Sequence, residues 1–184
     1  MRELTDNALM KRVQEGEIAR MGELFERHHR RLYNFFLRLT GNRQTAEDLV
    51  QEAFVRMIRY RHSFRGDGEF TSWMYTMARN LTATYFRRGV RAITVPEEEA
   101  EEPAVEETQE SELENREEAG RLREALMKLP PDKREVLLLA RFEMMKHRQI
   151  ADLLGCSVGA VKVRIHRAMK QLRQSYRELQ SEAP

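Results

Sequence analysis

Between Ile93 and Ser111 the large apolar side chains nearly vanish, and prolines and glutamates take their place. Such a composition cannot bury enough surface to offset the entropy of ordering it. The apolar patterns on either side therefore cannot close around a single core. The chain is read as two small domains, residues 1–92 and 115–184, joined by an acidic linker at 93–114. A length of 184 residues permits this, since domains cluster at about 100–150 residues and can be half that size.

Charge follows the same division. Residues 1–96 hold 17 basic and 11 acidic side chains, a net +6; residues 97–118 hold 1 and 12, a net −11; residues 119–184 hold 14 and 7, a net +7. The overall +2 thus hides two basic blocks, the arrangement expected of modules that approach phosphate. The ten carboxylates from Glu97 to Glu114 come without a lysine or arginine among them. Their like charge keeps a spacer extended. The single cysteine, Cys156, excludes an internal disulfide and permits a reducing compartment. No run approaches the roughly 18 apolar residues of a membrane span, and no apolar leader precedes a small-residue cleavage site. A cytoplasmic chain with no membrane insertion is expected.

Apolar residues recur at three and four almost throughout, with no sustained alternation, so the fold class is all-α. A short first helix follows the cap candidates Thr5, Asp6 and Asn7 and stops near Gly16. The second places Leu24, Phe25, His28, Leu32, Phe35, Phe36 and Leu39 on one face and ends at Gly41-Asn42. In "TAED", Thr45 is read as the cap of the third helix, with Asp48 completing a capping box. That helix buries Leu49, Val50, Ala53, Phe54 and Met57. After the loop "SFRGDGEF", a fourth helix is expected to bury Phe70, Trp73, Met74, Met77, Leu81 and Tyr85, with Tyr75, Arg79, Asn80, Phe86 and Arg87 on other faces. Beyond the linker, helical spacing resumes at Leu122, Leu126 and Leu129. It breaks at Pro130-Pro131 and restarts at Asp132 with Val136, Leu137 and Leu139; two more helices complete the chain.

The most informative segment is "HRQIADLLGCSVGAVKVRIHRAMKQLRQ". Ala151 lets two helices approach closely, Gly155 permits the positive φ of a tight turn, Ser157 caps a second helix, and Val161 buries that helix against the first. Along the second helix Val158, Val161, Ile165, Ala168 and Leu172 form one stripe. Lys162, His166, Lys170, Arg173 and Arg177 form another. A short helix followed by a basic, outward-facing one is the helix-turn-helix arrangement, whose second helix enters the major groove. A plain helical hairpin with a solvated basic face would not require the Ala, Gly and Val spacing with a serine cap. Lys162, Arg164, Arg167 and Lys170 are long enough to neutralise phosphates, while Ser157, Gly159, Ala160 and Val163 are small enough to let the helix seat deeply.

A second signal lies in the first domain. Phe64, Phe70, Trp73, Tyr75, Tyr85 and Phe86 interleave with Arg61, Arg65, Arg79, Arg87, Arg88 and Arg91, a mixture that can stack unpaired bases and track their phosphates. Several of these aromatics have the helical spacing of core residues instead. No phosphate-cradling glycine loop, nucleophile constellation or metal-ligand spacing accompanies the histidines, so no catalytic residue, metal or cofactor is assigned.

Taken together, the segments resemble bacterial RNA polymerase sigma factors of the extracytoplasmic-function group, the minimal two-domain members of the sigma-70 family. The resemblance rests on "AEDLVQEAF" and "FTSWMYTMARNLTATYFRR" in the first domain, and on "LPPDKREVLLL" and "IADLLGCSVGAVKVRIHRAMKQLR" in the second. It implies no enzyme but a factor that binds core RNA polymerase and recognises promoter DNA. Asp48, Gln51, Glu52 and Val55 would face the polymerase. Phe64, Arg65 and Gly66, with Tyr75, Arg79, Asn80 and Arg87, would meet the non-template strand of the minus-10 element. The helix from Ser157, through Gly159, Ala160, Lys162, Val163, Arg164, Arg167 and Lys170, would read the minus-35 element. An anti-sigma factor is an implied partner, and the acidic linker would thread the path that nascent RNA later takes. The chain departs from common patterns at Ile58, Thr84, Gln149 and Ala160. Two rivals remain at this point: an operator-binding dimer using the same helix-turn-helix, and an interaction module that keeps the fold without promoter binding.

Overall fold

The structure, a computed structural model, describes residues 4–87 and 109–182, and the side chains of 117–181 in the second segment. Arg88, Arg91 and most of the acidic stretch lie outside the described residues. Among the described residues there are eight α-helices and no strand, as the periodicity predicts. They are α1 Asp6–Gln14, α2 Met21–Thr40, α3 Arg43–Arg59, α4 Phe70–Arg87, α5 Gln109–Met127, α6 Pro131–Leu137, α7 His147–Leu154 and α8 Val158–Glu182. Two compact units result, the first containing α1 to α4 and the second containing α5, α6, α8 and the start of α7.

In the first unit α2 packs along α3, α3 against α4, and α1 against α2 and α4. Thr5 caps α1, its hydroxyl accepting from the Ala8 N–H at 3.3 Å, and Leu9, Met10 and Val13 are buried beneath it. Gly41, at φ 72, ends α2 with its N–H donating to the Leu37 carbonyl. This left-handed position is one a side chain resists and glycine adopts freely. The cap of α3 differs from expectation. Asn42 holds it, its side-chain oxygen accepting from the Thr45 N–H at 2.8 Å. An asparagine directly after the left-handed glycine is a strong cap, so α3 starts earlier and Thr45 falls within its first turn. Asp48 then accepts from Gln44 at 3.2 Å instead of closing a capping box.

The buried face of α4 is rotated from the expected one. Phe70, Met74, Tyr75, Ala78, Leu81 and Thr82 are buried, whereas Trp73, Met77 and Tyr85 are half-exposed. Tyr75 finds an edge-on partner in Phe35, with ring centroids 5.3 Å apart, a favourable geometry for a buried ring. Trp73 stays at the rim because its indole N–H donates to the Ser63 hydroxyl at 3.1 Å. An amphipathic ring with one end bonded to a surface loop cannot also sink into the core.

In the second unit α5 and α6 both pack on α8. The α5 helix begins at Gln109, inside the span expected to be linker; downstream, Glu117 pairs with Arg121 and Glu124 with Lys128 at helical spacing. Leu122 remains 37 % exposed while Leu126 and Leu129 are buried. Pro131 occupies the first position of α6, where its missing N–H is no loss. After α6 the chain forms a π-helical turn at Leu138–Phe142, with the Glu143 N–H reaching the Leu138 carbonyl. The turn closes on Met144, whose φ of 52 costs a non-glycine residue roughly 1–2 kcal/mol.

Arg134 organises this unit. It is 5 % exposed, and its guanidinium donates to the carbonyls of Leu126, Met127 and Leu129 at 2.8–2.9 Å. Leu126 and Met127 close α5 and Leu129 lies two residues beyond it, so the cation suits this helix end by charge as well as by hydrogen bonding. Burial pushes its pKa down to about 10, still well above neutrality, so the side chain remains charged. Arg134→Met keeps most of the volume and removes the donors. It is expected to lower the stability of the second unit by about 2–4 kcal/mol, measured as loss of protection of α5 and α6 amides in native-state hydrogen exchange.

Candidate nucleic-acid and polymerase interfaces

On α3 the buried stripe turns one face inward and leaves another to solvent. Asp48, Gln51, Glu52 and Val55 are all exposed, Val55 by 57 %. Glu52 pairs with Arg56 at 2.7 Å, an exposed helical pair worth only a few tenths of a kcal/mol. The face is acidic and polar around one uncovered valine, and Tyr60, 50 % exposed, lies just beyond its end.

The loop between α3 and α4 begins with a short 3-10 turn at Arg61–Ser63. Of the residues read as meeting unpaired bases, Arg65, Asn80 and Arg87 are exposed, and Gly66 and Arg79 are half-buried. Gly66 has φ 75, and a side chain there would be strained. Phe64 and Tyr75 do not fit a base-stacking role. They are 4 % and 1 % exposed, Phe64 being packed edge-on to Phe70 and against Trp73, with centroids 6.3 and 5.6 Å apart. Both belong to the core, because a ring sealed from solvent presents no face to a base. The half-exposed aromatics are Trp73 and the edge-on pair Tyr85 and Phe86, whose centroids are 5.3 Å apart.

Three residues, Gly155–Ser157, separate α7 from α8. Gly155 has φ 62. Its N–H donates to the Asp152 carbonyl and that of Cys156 to the Ala151 carbonyl, the paired reverse bonds that end a helix at a left-handed glycine. Ser157 then caps α8, its hydroxyl accepting from the Ala160 N–H at 3.1 Å. Ile150, Ala151 and Val161 are buried. At the start of α7, Gln149 reaches back to accept from the Lys146 N–H at 2.9 Å, the glutamine half of a capping box. The structure thus assigns a cap to one of the positions where the sequence departs from common patterns.

The outward side of α8 carries the remaining candidates. Ser157, Gly159, Lys162, Val163, Arg164, Arg167 and Lys170 are exposed, and Ala160 is half-buried. His166, Arg173 and Arg177 are exposed as well. The buried stripe runs through Val161, Ile165, Ala168, Ser175 and Leu179, while Leu172 is only half-buried. At the N-terminus of α8 the helix dipole adds a partial positive charge to that of these side chains. Arg141 and His147, on the π-turn and at the start of α7, join Lys162, Lys170 and Arg173 around an open groove of about 730 Å3. Sequence periodicity does not reveal this juxtaposition, since the π-turn sets where Arg141 points.

Among the described residues no group of three potential ligands could hold a metal ion, and no helix is long and apolar enough to cross a membrane. Residues 24–92 match the family described as Sigma-70 region 2, and residues 119–172 match Sigma-70, region 4. The chain is 34 % identical over 175 residues to the RNA polymerase sigma factor CarQ of Myxococcus xanthus, covering 94 % of this chain and 98 % of that protein. It is 34 % identical over 153 residues to the ECF RNA polymerase sigma factor SigE of Mycolicibacterium smegmatis; that match covers 82 % of this chain but only 59 % of the relative's length. Among solved structures, CnrH in complex with the cytosolic domain of CnrY superposes with a TM-score of 0.71 at 25 % identity, covering 97 % of this chain and 99 % of that one. With helices on which both sigma-70 regions map, and with CarQ matched over nearly its full length, the chain belongs to the extracytoplasmic-function group of the sigma-70 family: it is a sigma factor, not an enzyme, and directs promoter-specific transcription initiation.

Proposed function

We propose that this sigma factor divides its work between its two units as follows. The first, residues 1–92, docks on core RNA polymerase through Asp48, Gln51, Glu52 and Val55. It holds the opened minus-10 strand with Arg65, Gly66, Arg79, Asn80 and Arg87. The second, residues 115–184, reads the minus-35 element through the exposed side of α8. Phe64 and Tyr75 act beneath the surface, as packing that supports it. The observation that carries this reading is the start of α8. Behind a left-handed glycine turn and a serine cap, Gly159, Val163 and Arg164 are exposed together with Lys162 and Arg167. Small residues there admit close approach to base edges while the cations meet phosphates.

Opening DNA requires unstacking, at a few kcal/mol per step, which capture of the freed bases offsets. The half-exposed Trp73, Tyr85 and Phe86 supply ring surface beside the arginines. The factor's place of action is the cytoplasm, where the polymerase works. An anti-sigma factor is part of the proposal: the solved relative CnrH was captured with a protein domain bound to it, and a second chain of that kind would compete with polymerase or promoter. The glutamate stretch from Glu97 serves as an anionic strand in the path of nascent RNA.

Purified core polymerase, supplied with this chain and a promoter library, is expected to give transcripts that depend on the added protein; their absence, when no inhibitor copurifies, overturns the reading. Alanine at Lys162, Arg164 or Arg167 is expected to weaken binding of minus-35 duplexes. The slope of log affinity against log salt should fall by about one for each phosphate no longer neutralised, as titration at several salt concentrations would measure. Replacing the glutamates between Glu97 and Glu102 by glutamine is expected to weaken polymerase binding or shift the lengths of abortive products. If both are unchanged, the stretch is a spacer and nothing more.

A further inference from the structure

Three side chains of α1, Asn7, Lys11 and Gln14, fall at spacings of four and three and so share one stripe of the helix. All three meet the loop between α3 and α4. The Asn7 amide works at both ends, its Nδ2 donating to the Gly68 carbonyl at 2.8 Å and its Oδ1 accepting from the Phe70 N–H at 2.8 Å. Gln14 Nε2 donates to the Arg61 carbonyl at 2.8 Å and to the Phe64 carbonyl at 2.6 Å. Lys11 passes the tip, its Cε 3.4 Å from where a Cβ on Gly66 would stand. Gln14 thus grips the entry of the loop and Asn7 its exit, and Arg65, Gly66 and Asp67 are presented between them.

The helix that does this is itself fixed. Leu9, Met10 and Val13 are fully buried. Asp6 accepts from Arg27 Nη1 at 2.8 Å and lies 2.7 Å from His28 Nε2, tying α1 to α2. Residues 6–14 precede the segment that matches Sigma-70 region 2, which begins at residue 24, so the family match assigns them nothing.

We infer that α1 is a clamp that sets the conformation of residues 61–70 and, through it, base preference at the minus-10 element, with Asn7 and Gln14 as positioning residues. The inference rests on the proposed contact of Arg65 and Gly66 with the non-template strand. A side-chain bond to the loop backbone is worth about 1 kcal/mol. Two such bonds at each end hold a loop whose tip would otherwise sample several conformers with different base preferences.

The test uses the full chain with core RNA polymerase and a template pool randomised across the minus-35 and minus-10 windows, with transcripts sequenced. Asn7→Ala and Gln14→Met, each of which removes two such bonds, are expected to flatten preference in the minus-10 window by up to about thirtyfold, with preference in the minus-35 window and affinity for polymerase unchanged. A uniform fall in yield with both preferences intact means that α1 acts through stability alone and overturns the inference. Arg65→Ala in the same pool separates the two levels. If it shifts minus-10 preference while the α1 variants do not, the clamp alone is overturned; if it too leaves the preference unchanged, the reading of the loop falls and the clamp falls with it. Should Asn7→Ala unfold α1, seen as lost helical circular dichroism, Gln14→Met decides the question.

Discussion

Every helix leaves up to four N–H groups at one end and four carbonyls at the other without partners inside it. A protein of short helices has many such ends in proportion to its length, and their satisfaction decides where its chain can turn. Here the solutions recur in a few forms. Thr5, Asn42 and Ser157 accept from first-turn amides. Gly41 and Gly155 turn back through left-handed backbone. Arg134 supplies donors to the end of α5 from a different helix. Asn7 accepts from the first amide of α4 across 63 residues of sequence. The surfaces proposed to meet DNA sit next to these ends: the α3–α4 loop at Phe70, the turn before α8 at Ser157.

The local solutions are legible in the sequence because cap and turn residues act on neighbours within three or four positions. Thr5, the Gly41-Asn42 pair, Pro131, Gly155 and Ser157 can all be read that way. The α3 cap is harder to place because Asn42 and Thr45 are two adequate caps three residues apart, of which asparagine beside a left-handed glycine prevails. Tyr75 and Phe64 mislead for another reason. A pattern of aromatics and arginines is the same whether the rings face solvent or core, and only the edge-on partner Phe35 and the neighbours Phe70 and Trp73 settle it. The α1–loop bonds leave no signal in one sequence, since Asn7 and Gln14 are ordinary helix-surface residues until the fold brings the loop to them. The same holds for Arg134, which reads as one more cation in a charged chain.

Electrostatics and packing divide the labour between the two units. The α3 face is acidic and uncovered, and its ion pair is exposed and weak. The exposed side of α8 is basic along most of its length, from Lys162 to Arg177. Such a surface is kept dispersed by self-repulsion and is neutralised only by an anionic partner. Hydrophobic burial fixes each unit, while the charge left on these two faces is opposite in sign.

The length of α8 has a mechanical meaning. Twenty-five residues at 1.5 Å each make a rod of about 37 Å, longer than a major groove is wide by a factor of about three. Its buried stripe continues from Val161 to Leu179 against α5 and α6, so it is braced far beyond the end at Ser157. A braced rod of this length does not flex at one end independently of the other. Any tilt imposed at its first turn is carried through the whole unit to α5, and the direction in which the chain enters that unit is thereby geared to the angle at which α8 lies.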